Sequence, residues 1–359
     1  MRTVRNILLL FSLGLAPTAH AQPDSTVFDN LLIQALQGNM TSVLSALDTL
    51  DDEALGPKRA AKKQMLLHRF RAQDEHYLFQ TNDTAVIDIM NIYHLYWMGA
   101  LLDDSVEEYE QGLIFNVTAH LRRYSREVRG KKSAWIRKHW NDLLQDHLKA
   151  HGCYSATGKT GQFYDLLLHM KETEVEYPVT TPEDTLQVKV IFMDSVICNG
   201  WEGYATLDTY YPGGWATNDA LYCARDSYDL ASENFTVSYL KHEGKHFADY
   251  KRFPKLQSAD LEYRAKLVEL SAAKEIMYGL IKFFLQNSAY DPANPHAYAN
   301  FCVIRDLSRS LFGKEREEDI AAWKKLPIED IHRASTALLL KNTRDLEAAG
   351  ARSVKALIR

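Results

Sequence analysis

Up to about residue 150 the apolar positions recur every three or four residues, with short polar breaks between runs. That spacing predicts helices over 27–47, 58–79, 83–102, 106–128 and 133–148. The pattern then changes. Leu186-Gln-Val-Lys-Val190-Ile-Phe-Met alternates and is rich in β-branched residues, as a strand is. Residues 203–207 and 215–224 read as two more strands, joined through the turn signal Tyr211-Pro-Gly-Gly214. Helical spacing returns over 240–250 and 258–273, and again over 297–312, 315–325 and 328–346. The expected fold is α+β and predominantly helical, with an N-terminal all-helical region and a small three-stranded sheet beside a motif helix. The change near residue 180 divides the chain into a helical domain, 22–184, and a second domain with C-terminal helices, 185–359. No internal repeat or low-complexity tract interrupts this plan.

The longest apolar run, from Val86 to Met98, is broken by Asp88, Asn91 and His94, which predicts a buried or amphipathic helix and no membrane span. At the N-terminus, Arg2 and Arg5 precede the apolar run from Ile7 to Ala16, and Ala19-His-Ala21 offers a small-residue cleavage site. Residues 1–21 therefore read as a secretory signal peptide, placing the mature chain in a periplasm or outside the cell. Losing those two arginines moves the formal net charge from −5 to −7. A mildly acidic exported protein is a poor nucleic-acid binder.

The chemistry concentrates in Leu240-Lys-His242-Glu243-Gly-Lys-His246-Phe-Ala-Asp-Tyr250. On a helix, residues i and i+4 lie one above the other, so His242 and His246 can both aim an imidazole at one metal ion. Glu243 projects beside them, placed to take a proton from a water. The bland alternative is a solvated helix face that happens to carry these three residues. A catalytic zinc takes three protein ligands. The break at Arg252-Phe-Pro254 lets the chain reverse, and an antiparallel second helix returns its first carboxylate, Glu262, toward the histidine pair. Glu269, two turns further on, is the alternative third ligand or an orienting partner for a ligating histidine.

His-Glu-x-x-His, a turn, then a helix bearing Glu262-x-x-Ala265 resembles the gluzincin group of zinc metallopeptidases, over roughly residues 186–285. The resemblance implies zinc (Zn2+) held by His242, His246 and Glu262, with Glu243 as general base and a peptide or protein as substrate. It also implies that 214–219 line the cleft as an edge strand. Three features depart from it: Gly244 inside the motif helix, a short interval between His246 and Glu262, and no glycine-rich exopeptidase signature. Tyr263, His296 and Tyr298 are the candidates for stabilising an oxyanion.

Four cysteines, Cys153, Cys198, Cys223 and Cys302, suit an oxidising compartment. Sequence leaves three pairings open, with Cys198–Cys223 and Cys153–Cys302 favoured, and free buried thiols as the alternative. Gly152-Cys-Tyr-Ser-Ala-Thr-Gly158-Lys-Thr160 imitates a phosphate-binding loop, but five residues separate its glycines where four are needed, so it reads as a flexible loop. His68, His76, His94, His120, His139 and His147 show no metal-binding spacing and read as structural. The chain is expected to be an exported zinc metallopeptidase. The alternative is a catalytically inactive, metallopeptidase-like binding or structural protein of the cell envelope.

Overall fold

The computed structural model describes residues 23–72, 79–103 and 105–358. The expected signal peptide and His76 lie outside the described residues. The chain forms two compact units, one running to Thr173 and resuming over Met193–Pro212, the other made of Glu174–Phe192 and Gly213–Arg359.

The first unit is built on helices α1 (Pro23–Ala35), α2 (Met40–Leu47), α3 (Asp52–Leu67), α4 (Thr84–Leu102), α5 (Val106–Tyr124), α6 (Ser133–Lys138) and α7 (Trp140–Ala150). The continuous helix expected over 27–47 is two. Gly38 between them has φ +78° and a Cβ there would collide with Gln162 and Phe163, so only glycine fits the break. Asn39 then caps α2 by accepting from the Ser42 amide at 3.0 Å. Asp83 caps α4 in the same way, accepting from the amides of Ala85 and Val86. By length and composition α4 could cross a membrane. In this unit its Val86, Ile89, Met90, Tyr93 and Trp97 are fully buried in the core, packed with Phe28, Val43, Leu113 and Leu144.

The sheet has five strands where three were expected. They are β1 (Tyr154–Thr160), β2 (Phe163–Thr180), β3 (Thr185–Asn199), β4 (Gly214–Ala216) and β5 (Leu221–Ala224), in the order β1-β2-β3-β5-β4. The segment expected as a flexible loop is β1, paired antiparallel with β2 from Tyr154↔His169 to Thr160↔Phe163. In the middle of strand β2, Met170–Tyr177, Glu172, Glu174 and Glu176 alternate with Thr173, Val175 and Tyr177, a period-two signal that rests on only two apolar residues and is mostly exposed. Residues 215–224 form a β4–β5 hairpin instead of one strand. Residues 203–207, expected as a strand, belong largely to helix α8 (Gly200–Thr206), which is buried on every side and so carries no helical stripe. The N-terminal domain is therefore not all helical, while the α+β class holds.

The second unit continues with α9 (Leu240–Arg252), α10 (Ser258–Ala272), α11 (Met277–Gln286), α12 (Pro295–Phe312), α13 (Ile320–Trp323) and α14 (Ile328–Ala348). One apolar core gathers α10, α11, α12 and α14 around Leu267, Ile281, Val303 and Leu339. Another joins α9 to the sheet through Val188, Phe192, Leu221, Tyr239 and Phe247. All four cysteines are free and buried. The favoured disulfides do not form because each cysteine packs as a small apolar group in a separate place. Cys198 and Cys223 belong to different cores, as do Cys153 and Cys302.

Candidate metal centre

Helix α9 ends at the Phe253-Pro254 break and α10 returns antiparallel, so that His246 meets Glu262 while His242, one turn earlier, meets Glu269. Glu262 Oε1 lies 3.2 Å from His246 Nε2 and its Oε2 lies 3.6 Å from His242 Nε2. The two imidazoles are 4.7 Å apart between ring centres and inclined at 79°. Ligand atoms of His242, His246 and Glu262 all fall within 4.8 Å of one another, a buried His-His-Glu cluster that could bind a metal ion. The structure brings Glu243 to the same place, and all four side chains are 0% exposed.

The donor atoms test whether a metal fits. His242 Nε2, both nitrogens of His246 and both oxygens of Glu262 and of Glu243 make no well-formed hydrogen bond although buried. A buried polar group without a partner costs about 1–3 kcal/mol; Lys266 at 3.2 Å and His296 at 3.1 Å offset part of this for Glu262, and a metal ion at the cluster would satisfy the remaining groups. Two imidazoles and a carboxylate suit a borderline transition ion. Glu269 Oε1 accepts from His242 Nδ1 at 2.6 Å, which fixes the ring and would leave Nε2 for a metal. It is not one of the three clustered residues.

The electrostatics follow from burial. Burial alone would raise Glu262, but His296, Lys266 and His242 hold it well below the usual carboxylate range. His242 is raised to about 10 because Glu269 and Glu262 outweigh the burial that would lower it. Burial lowers His246, with Glu262 pulling the other way. Burial pushes Glu243 up to about 8, against the pull of His242 and of the Ala216 amide in β4.

Three groups near the cluster were read differently from sequence. Tyr263 donates to Asp306 at 2.9 Å and is committed there. Tyr298 lies against Tyr290 and interacts with Cys302. His296 does reach the site, its Nδ1 3.1 Å from Glu262 Oε2 with the side chain 41% exposed. Sequence reasoning missed Tyr250 and Lys266. The Tyr250 ring stacks along His246, its hydroxyl is buried without a partner, and burial followed by Glu243 and Glu262 raises its pKa. Lys266 places Nζ 3.2 Å from Glu262 Oε2. Helical spacing would have found both: Tyr250 continues the 242/246 stripe by one turn, and Lys266 is one turn beyond Glu262.

Gly244 also has its reason. A Cβ there would sit 2.9 Å from Cγ1 of buried Val179 in β2, so glycine lets the motif helix lie directly on the sheet. Gly244→Ala should gain about 1 kcal/mol of helix propensity and lose about 1–3 kcal/mol to overpacking. The expected net is destabilisation, read as a lower denaturant midpoint; a stabilised variant would refute the close-approach explanation. Strand β4 is the outermost strand; of the expected cleft edge 214–219, Gly214, Trp215 and Ala216 are buried, whereas Asn218 and Asp219 are exposed.

No protein-family model, curated protein or solved structure matches the chain.

Proposed function

We propose that the chain is a zinc-dependent hydrolase acting on peptide bonds, exported to a periplasm or to the cell exterior. The observation that carries this reading is the convergence of unsatisfied buried donor atoms of His242, His246 and Glu262, with Glu243 next to them. His242, His246 and Glu262 would hold the zinc. Bound there, zinc supplies Lewis acidity, polarising a carbonyl and bringing a water's pKa down to about 7. Glu243, which makes no side-chain hydrogen bond, would take the water's proton and deliver it to the leaving amine. The Tyr250 hydroxyl, buried without a partner on a ring stacked along His246, is assigned to the carbonyl oxygen as charge develops. Glu269 holds the His242 ring, and Lys266 balances the charge of Glu262.

One observation favours a second reading, a metal-stabilised binding or structural protein. Catalytic zinc keeps an open coordination position whereas structural zinc is closed, and the four site side chains are 0% exposed. Incubation with a fluorogenic peptide library separates the two. Hydrolysis should be abolished by a chelator, restored by added zinc, and absent in His246→Ala. A protein that holds zinc yet cleaves no peptide would belong to the second reading.

A further inference from the structure

Eight of the seventeen residues from Arg122 to Lys138 are lysine or arginine, and only Glu127 among them is acidic. The whole chain carries −5, so this stretch holds charge opposite in sign to the rest of the molecule. All eight cations are exposed, and among the described residues none of them pairs with a carboxylate. Exposed arginines elsewhere do pair, Arg71 with Asp48, Arg309 with Glu315 and Arg333 with Asp330. The segment comprises the last turn of α5, a short connection and all of α6, and Val128 and Ile136 anchor it in the apolar core with Leu121 and Leu144. Arg122 donates to the Lys131 carbonyl at 3.4 Å, tying the end of α5 to that connection. Two aromatic side chains stand among the cations, Tyr124 at 43% and Trp135 at 40% exposure. The Arg123 guanidinium lies 5.1 Å from the centre of the Tyr124 ring, and Lys131 Nζ lies 4.9 Å from that of Trp135. Each ring also has a histidine beside it, His120 at 4.7 Å and His139 at 4.5 Å. Phe115, 63% exposed, precedes Arg122 by two turns and so shares its face of α5.

We propose that this surface docks the protein on a bilayer that carries anionic phospholipid. Unpaired cations crowded into one segment repel one another and gain nothing within the chain, so their attraction is to an external surface of opposite charge. An anionic leaflet supplies one, worth about fivefold in affinity for each Lys or Arg that comes near it. The aromatic residues decide which polyanion fits. Tyr and Trp beside Lys and Arg form the anchoring set of a membrane–water interface, with the ring at the acyl boundary and the cation at a headgroup phosphate. Phe115 extends the apolar part of that contact along α5. A single-stranded nucleic acid needs free ring faces on which to stack its bases, whereas a cation and a histidine already lie against both of these rings. The contact is peripheral, made by surface side chains and by no spanning segment. The surface belongs to the first unit, shares no residue with the candidate metal centre, and does not depend on the hydrolase reading.

The test is flotation of the full chain with phosphatidylcholine vesicles, prepared with and without about one third phosphatidylglycerol. The chain should float with the anionic vesicles, bind the neutral ones at least about tenfold more weakly, and be released as salt is raised. Arg126→Gln/Arg129→Gln/Lys132→Gln/Lys138→Gln removes four exposed cations that pair with no carboxylate among the described residues, so the denaturant midpoint should stay at the parent value. This variant should bind anionic vesicles about a hundredfold more weakly. Trp135→Ala keeps every charge, so it should weaken binding by about threefold or more and leave the salt dependence as in the parent. Inorganic phosphate at the concentration of the headgroups should not compete, because a single anion cannot meet a spread surface. Release by phosphate would make the ligand a free anion, and tighter binding to single-stranded DNA than to anionic vesicles would make it a nucleic acid. Either result, equal binding to neutral and anionic vesicles, or a four-site variant that binds as the parent does, would overturn the proposal.

Discussion

Glu243→Gln is expected to retain its metal and to lose hydrolysis by about two orders of magnitude or more. The substitution preserves size and removes the proton-accepting charge. Glu243 is buried, makes no well-formed hydrogen bond, and is not one of the clustered ligands, so nothing in the metal's coordination depends on it. Removing the charge also relieves a buried, unpaired acid, so the variant should be no less stable than the parent. Metal content and peptide hydrolysis measured on the same preparation decide the role. Loss of zinc with the substitution would make Glu243 a ligand, and full activity would remove it from the mechanism.

Arg264→Ala is expected to cost about 3–5 kcal/mol of stability. Helix α10 is buried along its length, yet it carries Glu262, Arg264, Lys266 and Glu269, and each buried charge must be paired. Arg264 is 0% exposed. Its guanidinium donates to both oxygens of Asp249 at 2.7 and 3.1 Å, to Glu183 at 3.0 Å, and to Asn342 and Thr343 at 2.8 Å. Lys245 completes the group, bound to Glu183 at 2.5 Å and to Asp249 at 3.0 Å. The network ties α9, α10, α14 and the β2–β3 turn together, which sets how Glu262 faces the histidine pair. Truncating Arg264 leaves buried Asp249 with Lys245 alone and Glu183 with Lys245 and the longer Arg252 contact. Arg264→Lys keeps the charge without the fork and should fall between parent and alanine variant. Chemical denaturation measures all three, and a loss under about 1 kcal/mol for Arg264→Ala would show that packing alone holds α9 against α10.

Much of the candidate site was legible because its signals are local. An i, i+4 histidine pair with an adjacent acid, a Pro-containing break and the first carboxylate of the next helix are all set by helix geometry and chain reversal. What was not legible depends on tertiary context. Tyr263 was a candidate by position alone, and only the fold shows its hydroxyl bound to Asp306. Gly244 looked like a departure until Val179 was seen against it. In the fold, the helical stretches carried their own periodicity, whereas α8, buried all round, lacked the one-sided pattern that reveals an element, and the alternation in β2 rested on only Val175 and Tyr177 as apolar residues. His120 and His147 lie far apart in sequence, so their meeting at 3.1 Å could not be read from spacing.

The most direct test of the central claim is the transition-metal content of the chain purified without any chelator, with His242→Ala/His246→Ala and Glu262→Ala prepared alongside. The account predicts about one zinc per chain at this centre, lost in the histidine variant and bound much more weakly in Glu262→Ala. Protein that carries no transition metal, or whose metal content is the same in the parent and in His242→Ala/His246→Ala, would contradict it.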